Sequence, residues 1–306
     1  MANTLLNVTA VSKTYGKQKV LDNISFDINR GEICGLVGEN GAGKTTLIRI
    51  LAGLISSNSG EISGLESQAV SCIVESPALY PHLSAGDNLR VQMIGLGIGA
   101  DKDKVKNLLR MVGLEGVDSK KKVKDFSLGM KQRLAIALAI CDWPKLLILD
   151  EPINGLDPVG IKEIREILLL LKNEYRMTIL VSSHILSELD LVVDKYIIMS
   201  KGKVLQIIQK DALQNLLQTK RIVRVDKEHE ALEVLLSEGI EAIVTDEGIE
   251  LSEIGKSTSW IIDCLRKNEI QIEEIIKFQP SFESYYLSLI TREEVPYVPQ
   301  SEIRLL

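Results

Sequence analysis

The chain has 306 residues, of which 45% are hydrophobic and 25% are charged, and its formal net charge at pH 7 is −6. A chain of this length can form about two domains with buried cores, and the composition is typical of globular rather than disordered proteins. Aromatic residues make up only 4%. An acidic chain with few aromatic side chains is poorly suited to coating DNA or RNA, so we expect no nucleic-acid partner.

Neither a membrane span nor a cysteine motif for metal binding is evident. The longest apolar run, residues 134–141, has eight residues, far short of the roughly 20 that a transmembrane helix requires. The N-terminus lacks the charged start and apolar stretch of a signal peptide. The cysteines are scattered and form no CxxC pair, which favours structural thiols in a reducing cytosol over a metal site or a disulfide framework.

The first strong pattern is a glycine-rich turn between a predicted strand and a predicted helix. Residues 32–37 form a short apolar run, and apolar residues at helical spacing follow from Thr46 onward. The turn, residues 38–45, matches G-x-x-x-x-G-K-[ST]. Glycines let backbone N–H groups surround a phosphate chain, and the helix N-terminus adds its positive dipole end. We therefore expect Lys44 to contact the β- and γ-phosphates of a nucleotide and the Thr45 hydroxyl to bind Mg²⁺.

A helix start lies well downstream of this turn. Residues 134–141 are strongly helical, and Ser127 stands before them as a candidate N-cap. A helix N-terminus offers exposed N–H groups to an anion. By itself such a start is an ordinary cap, so its functional interpretation depends on the acidic residues that follow.

A second apolar strand, residues 145–150, ends in Asp150 and is followed directly by Glu151. A carboxylate at the carboxyl end of a parallel strand faces the ligand crevice of an α/β sheet. We expect Asp150 to hold Mg²⁺, directly or through water. Glu151, one residue further on, is the candidate general base that activates the attacking water.

The remaining elements before residue 210 continue an α/β pattern. Asp157 and Pro158 predict a helix start, as N-cap and first helical residue, and the helix runs to about Tyr175. Further apolar strands are predicted at residues 178–182 and 196–199. Strands that alternate with helices predict an α/β fold whose sheet is largely parallel and covered on both faces.

Over residues 4–210 these motifs, in this order, resemble those of the ATP-binding cassette (ABC) transporter ATPases. Residues 38–45 are similar to the Walker A loop and residues 146–150 to the Walker B strand, with Glu151 as the catalytic carboxylate. Residues 127–132 resemble the signature motif and residues 154–157 the D-loop, and His184 falls at the switch histidine.

The resemblance implies a P-loop NTPase cassette with a mixed sheet core, a β-subdomain and a helical arm. It also implies that Tyr15 stacks on adenine, that His184 contacts the γ-phosphate, and that Thr45, Glu75 and Asp150 hold Mg²⁺. The positions implied to contact ATP are Tyr15, Gly38, Asn40, Gly41, Gly43, Lys44, Thr45, Thr46, Glu75, Ser127, Gly129 and Asp157.

Two positions depart from the family pattern. Glu75 stands where the Q-loop usually has glutamine, and a carboxylate can bind Mg²⁺ or water but cannot donate a hydrogen bond as an amide can. Leu128 replaces the first glycine of the signature, whereas Gly129, whose small size lets a backbone N–H approach the phosphate, is kept. Both departures resemble the bacitracin- and lantibiotic-type exporter subgroup.

The resemblance implies partners as well. Two copies would form a homodimer, head to tail, with each ATP on the Walker A loop of one copy and under the signature helix of the other. An integral membrane permease, a separate chain, would dock near Glu75 against a helical arm of residues 82–125. The chain would then lie on the cytoplasmic face of the cell membrane. There it would hydrolyse ATP to drive export of a peptide antibiotic, a drug or a similar small amphipathic molecule.

Other functions within the same family stay open. An ABC importer ATPase is possible because importers also carry C-terminal domains, and a non-transport ABC ATPase could act as a regulator. A DNA-repair type is disfavoured, because the 81 residues between Thr45 and Ser127 leave no room for a long coiled-coil insertion.

The last part of the chain predicts a second, smaller domain. Residues 1–210 carry a net charge of +3 and residues 211–306 a net charge of −9, a composition shift that indicates a domain boundary. The order of elements predicted after residue 210 is β-α-β-β-α-β, which is typical of a ferredoxin-like α+β module. The strands are predicted at 221–226, 241–245, 249–251 and 272–278, and the helices at 229–236 and 257–267.

A final helix is predicted at residues 281–290, so the accessory domain spans residues 211–290, and residues 291–306 are expected to form a tail. The module shows no cluster of ligand-type residues. We therefore interpret it as a dimerisation or packing module rather than as a ligand sensor.

Overall fold

The computed structural model describes residues 3–65, 69–74, 78–184, 186–217, 220–245, 248–251, 256–278 and 280–291. The chain up to Lys210 forms one compact unit, and a second unit begins at Asp211. In these described ranges, no helix combines the length and the apolar character that crossing a bilayer would demand.

The first unit alternates strands and helices. Its strands are β1 (Thr4–Tyr15), β2 (Gln18–Asn29), β3 (Ile33–Gly38), β4 (Ser59–Ser63), β5 (Val70–Ile73), β6 (Leu146–Asp150), β7 (Thr178–Ser183), β8 (Lys195–Ser200) and β9 (Lys203–Gln209). Its helices are α1 (Lys44–Leu51), α2 (Ala85–Gly95), α3 (Lys102–Met111), α4 (Leu128–Ala139), α5 (Pro158–Tyr175) and α6 (Leu186–Leu189).

A six-stranded sheet forms the centre of this unit, in the order β5-β6-β7-β3-β8-β9. All neighbours are parallel except β8 and β9, which pair antiparallel. Every residue of β3, β6, β7 and β8 is buried, as expected for strands covered on both faces. The four apolar strands predicted from the sequence are confirmed, with bounds that shift by one residue at most.

A second, antiparallel sheet has the order β2-β1-β4. It corresponds to the β-subdomain that the family resemblance implies. Its two long strands share one hydrophobic core with the central sheet and α1, in which Leu21 of β2, Leu47 of α1 and Ile148 of β6 belong to the same buried cluster. This shared core places β2 directly beside the residues that follow β3.

Helices α4 and α5 begin where the sequence places capping residues. The Ser127 hydroxyl accepts a hydrogen bond from the Met130 N–H, so α4 begins at Leu128, earlier than the apolar stretch at 134–141 indicated. Helix α5 begins at Pro158 after Asp157 and ends at Tyr175, as predicted. Helices α2 and α3 form the helical arm implied for residues 82–125.

The second unit contains a four-stranded antiparallel sheet. Helix α7 (Lys210–Leu216) starts at the last residue of the first unit and continues into the second. The elements that follow are β10 (Lys220–Val225), α8 (Glu228–Ser237), β11 (Ala242–Thr245), β12 (Gly248–Leu251), α9 (Thr258–Lys267), β13 (Ile272–Phe278) and α10 (Phe282–Thr291). The strand order β11-β12-β10-β13 is that of a ferredoxin-like module, which confirms the predicted topology. One buried cluster, which includes Val223, Leu235, Ile249 and Leu265, joins its sheet to α8 and α9.

The cysteine side chains are free thiols: Cys34, Cys141 and Cys264 are buried, and Cys72 is partly buried. Burial raises the pKa of each thiol, that of Cys141 to about 11, so the reactive thiolate form is scarce at neutral pH. Within the part of the chain that the structure describes, His, Cys, Asp and Glu side chains form no cluster of three that could hold a metal ion by themselves.

Candidate functional site

The predicted phosphate-binding and acidic residues converge at one edge of the central sheet. Strands β3, β6 and β7 are parallel, and β7 lies between the other two. Their carboxyl ends therefore meet at the same edge, which is where α/β sheets bind ligands. The glycine-rich turn follows β3, Asp150 ends β6, and Ser183 ends β7 immediately before His184.

The glycine-rich turn has a backbone that favours glycine at two predicted contact positions. Gly41 and Gly43 have φ values of +87° and +100°, in the left-handed region that side chains with a Cβ rarely adopt. A Cβ at Gly43 would also lie 2.7 Å from Leu21 Cδ2 and 3.0 Å from the Val20 carbonyl oxygen of β2. Helix α1 starts one residue later, so its free N–H groups point out of this turn.

Lys44 links this turn to the acidic residues after β6. Its Nζ donates to the carbonyl oxygens of Gly38 at 2.6 Å and Glu39 at 3.2 Å. It also lies 3.7 Å from Glu151 Oε1. The residue is only 6% exposed, so its charge is balanced by these oxygens instead of by water.

Asp150 and Thr45 are in direct contact. The Thr45 hydroxyl donates to Asp150 Oδ2 at 2.9 Å, so two hard oxygen donors stand side by side next to the phosphate-binding turn. Mg²⁺ prefers such oxygens, and in nucleotide sites it takes one or two from the protein and others from the phosphates and water. The pair therefore fits a magnesium ion that arrives with a phosphate chain.

Glu151 has an unusual backbone and two partners for its side chain. Its φ is +51°, in the left-handed region that is costly for a residue other than glycine, and such strain gathers at functional sites. Its Oε2 lies 2.8 Å from His184 Nδ1, while its Oε1 faces Lys44. The carboxylate is thus held by both of its oxygens, at the mouth of the site and partly exposed to solvent.

Ser127, Gly129 and Asp157 form a second group, at the N-termini of α4 and α5. Ser127 is exposed, and Asp157 caps α5 by accepting the Gly160 N–H at 2.9 Å. A Cβ on Gly129 would come within 3.8 Å of Gly160 Cα, so the two helix starts pack closely. The signature residues therefore present the free N–H groups of α4 to solvent.

The other predicted contacts lie on the surface or outside the described residues. Tyr15 ends β1, is 48% exposed and has the Lys13 Nζ 5.2 Å from its ring centroid. Asn40 is exposed in the turn, and Thr46 is partly buried in the first turn of α1. Glu75 lies outside the described residues, so its implied contacts with ATP and Mg²⁺ stay a prediction.

One residue of the site was missed at the sequence level. Ser182 on β7 is fully buried, and its hydroxyl donates to Asp150 Oδ1 at 2.6 Å and accepts from the Glu151 N–H at 2.9 Å. The available signal was a serine pair at the carboxyl end of an otherwise apolar strand, directly before His184.

Comparisons with known proteins identify relatives of this chain. The protein-family model for the ABC transporter domain matches residues 21–154. The lantibiotic transport ATP-binding protein SrtF of Streptococcus pyogenes is 44% identical over 219 residues, which cover 69% of this chain and 94% of SrtF. The bacitracin transport ATP-binding protein BcrA of Bacillus licheniformis is 37% identical over 306 residues, which cover 94% of this chain and 98% of BcrA.

A solved structure supports the fold. The dimeric post-hydrolysis state of an ATP-binding cassette bound to ADP and Pi matches with a TM-score of 0.60 at 24% identity, over 67% of this chain and 98% of that one. At this identity the likeness establishes the architecture, whereas the identity to SrtF and BcrA over nearly their whole lengths establishes the family. The chain therefore belongs to the ABC transporter ATP-binding proteins, in the subgroup of the lantibiotic and bacitracin transport subunits.

Proposed function

We propose that this chain binds ATP with Mg²⁺ and hydrolyses it as the motor subunit of a membrane transporter. The observation that carries the proposal is the convergence of Lys44, Thr45, Asp150, Glu151 and His184 at one sheet edge. Contacts of 2.8 to 3.7 Å join Thr45 to Asp150, His184 to Glu151 and Lys44 to Glu151.

Each group has a role that its position supports. The turn after β3 would hold the phosphate chain through its N–H groups, and Lys44 would exchange its bonds to carbonyl oxygens for bonds to phosphate oxygens. Thr45 and Asp150 would hold Mg²⁺, which supplies positive charge to the β- and γ-phosphates when bound. Glu151 would take the proton of the attacking water, and His184 would orient that carboxylate and contact the γ-phosphate.

The direct test of this function is hydrolysis by the purified chain. We expect phosphate release from ATP in a magnesium buffer, loss of that activity in EDTA, and recovery when Mg²⁺ is restored, because Asp150 and Thr45 need the ion to reach the phosphates. The measurement is a phosphate-release assay. A chain that binds ATP and releases no phosphate in the magnesium buffer would contradict the proposal.

We also propose that the working form is a homodimer. The exposed N-terminus of α4, with Ser127 and Gly129, offers N–H groups that can bind an anion. These N–H groups belong to the second group of site residues and not to the phosphate-binding turn after β3. In a head-to-tail pair, this helix end of one copy would cover the phosphates held by the other. A cassette with the same fold, bound to ADP and Pi, is dimeric, which supports pairing of two copies.

A groove in the first unit is the proposed docking site of the membrane permease. Its cavity of about 320 Å³ is lined by apolar residues of the segment after α1, of β5 with the residues around it, and of α4; these include Leu54, Ile73, Leu79 and Leu138. Gln92 of the helical arm closes one side. Leu54 is 59% exposed, as suits an apolar residue that another chain covers. Docking there would keep this chain at the cytoplasmic face of the membrane.

Leu54→Asp is expected to abolish co-purification of the permease from detergent-solubilised membranes, because a carboxylate would be buried unpaired in an apolar interface. ATP hydrolysis by the isolated variant should stay within about twofold of the wild type, since surface substitutions away from a site have small effects. Leu191→Asp, at a leucine with 51% exposure elsewhere, is the matched control and should co-purify normally. Equal recovery of the permease with both variants would exclude this groove.

The names of the two relatives indicate the class of cargo. SrtF is a lantibiotic transport ATP-binding protein, and BcrA is a bacitracin transport ATP-binding protein. We therefore propose that the permease partner exports a peptide antibiotic, a drug or a similar amphipathic molecule. Because export would protect the cell, expression of an inactive chain should make the cell more sensitive to such a peptide.

We further propose that residues 1–210 are the ATP-handling domain and that residues 211–290 are an accessory module for packing or dimerisation.

A further inference from the structure

Ser182 occupies a central place in the site although none of the motifs includes it. In the β6–β7 pairing it lies directly opposite Asp150. Its side chain is completely buried, so its hydrogen bonds are made with the protein and not with bulk water. A buried hydroxyl normally has partners, but here both partners belong to the two acidic residues of the proposed reaction.

The direction of both hydrogen bonds can be assigned from chemistry alone. The Glu151 backbone nitrogen can only donate, so Ser182 Oγ must accept from it at 2.9 Å. The single hydroxyl proton is then free for Asp150 Oδ1, 2.6 Å away. A hydrogen bond to a carboxylate of this length is short and charge-assisted. The arrangement leaves no alternative hydroxyl orientation that satisfies both partners.

The hydrogen bond from the Ser182 hydroxyl to Asp150 sets the direction in which Asp150 presents its carboxylate. Oδ1 is held by Ser182, while Oδ2 faces the Thr45 hydroxyl at 2.9 Å. The plane of the carboxylate is therefore fixed from both sides. Without Ser182, the Asp150 carboxylate would be free to rotate, and Oδ2 would turn away from the Thr45 hydroxyl, beside which we place Mg²⁺.

The hydrogen bond from the Glu151 N–H to Ser182 supports the strained backbone of Glu151. Its N–H is shared between the Ser182 hydroxyl at 2.9 Å and the Ser182 carbonyl oxygen at 3.2 Å. This shared bond holds a residue whose φ of +51° is unfavourable for any side chain with a Cβ. The same backbone conformation aims the Glu151 carboxylate at His184 and Lys44.

We propose that Ser182 is a positioning residue that orients the magnesium-binding carboxylate and the catalytic carboxylate with one hydroxyl. It does so by donating to Asp150 and accepting from Glu151. This inference rests on the proposed function, and it goes beyond it by assigning to a single buried serine the coupling between metal binding and the general base.

The decisive measurement is the gain in nucleotide affinity that Mg²⁺ provides. The non-hydrolysable analogue AMP-PNP is titrated into each protein in EDTA and in excess Mg²⁺. The Kd in EDTA divided by the Kd in Mg²⁺ gives a ratio that measures the magnesium gain, and this ratio is compared between the proteins. Loss of a group that orients a metal ligand typically costs about 10–100-fold in metal affinity or activity. We expect Ser182→Ala to lower this ratio about tenfold and to leave the Kd in EDTA close to that of the wild type. A merely structural defect would change both Kd values together.

Three further variants complete the test. Thr178→Val removes another buried hydroxyl of β7 that accepts a backbone N–H, that of Gly31, at the far end of the strand, and it should keep the wild-type ratio. Ser182→Thr, which retains a hydroxyl, should restore most of the magnesium gain. If Ser182→Ala does not fold, Ser182→Cys, with a weakly hydrogen-bonding thiol of similar size, replaces it in the comparison and should show the same loss.

The outcomes separate this inference from the proposed function. A wild-type chain that gains no affinity from Mg²⁺ would overturn the magnesium site and this inference with it. A wild type with a clear gain, together with a Ser182→Ala variant of equal gain and equal kcat, would overturn the positioning role and leave the proposed function intact. A lowered ratio in Ser182→Ala that Thr178→Val does not share would establish the role.

Discussion

Glu151→Gln is expected to bind ATP as tightly as the wild type and to hydrolyse it about 10²–10⁴-fold more slowly, the range that a positioned general base contributes. Glutamine has nearly the same shape, so the contact with His184 and the packing of the site can persist. It cannot accept the proton of the attacking water. Nucleotide binding by fluorescence and phosphate release under single-turnover conditions measure the two effects separately.

The control for this substitution removes one carboxylate elsewhere on the same unit. Glu174 is exposed near the end of α5, so Glu174→Gln makes the same chemical change outside the site and should keep the wild-type rate. Hydrolysis by Glu151→Gln at the rate of Glu174→Gln would refute the assignment of the general base. Loss of ATP binding in Glu151→Gln would instead mean that the carboxylate organises the phosphate-binding turn, through its contact with Lys44.

The carboxyl ends of the buried strands could be predicted well from the sequence. The sequence shows apolar strands that end at Asp150, at the glycine-rich turn that begins with Gly38, and just before His184. These endings predict a common site, because a parallel sheet brings the carboxyl ends of its strands to one edge. The structure adds which side chains touch: Thr45 reaches Asp150, and His184 reaches Glu151. Local patterns do not encode such contacts, since they depend on the order of strands in the sheet.

Ser182 shows why the rest of the site could not be predicted. A serine near the end of a strand is common, and its importance comes from lying opposite Asp150 in the β6–β7 register. The left-handed backbone of Glu151 likewise could not be predicted from the sequence, because glutamate usually avoids that region. Positions where tertiary contacts override local preference are those at which sequence reasoning is expected to fail.

Ser127→Arg, introduced into Glu151→Gln, is expected to prevent the ATP-dependent dimer that Glu151→Gln alone should form. The Glu151→Gln chain retains ATP, so two copies stay joined across their phosphates. An arginine at the exposed N-cap of α4 adds a bulky side chain at the surface that must approach the partner's nucleotide. A loss of about 2 kcal/mol, typical of a central interface residue, raises the dimer Kd roughly thirtyfold. Sedimentation velocity with and without ATP gives the fraction of dimer.

The matched control separates the interface from the helix cap. Ser257 is also an exposed N-cap serine, whose hydroxyl accepts the Trp260 N–H at the start of α9, so Ser257→Arg removes a cap of the same kind at a cost of about 1 kcal/mol. In the Glu151→Gln background, Ser257→Arg should dimerise with ATP and Ser127→Arg should not, although both lose a similar amount of stability. If both double variants dimerise alike, the phosphates are not covered by α4 of a second copy, and the head-to-tail arrangement is wrong. If neither double variant dimerises, the effect of Ser127→Arg is not specific to the N-terminus of α4, and the head-to-tail arrangement loses its support.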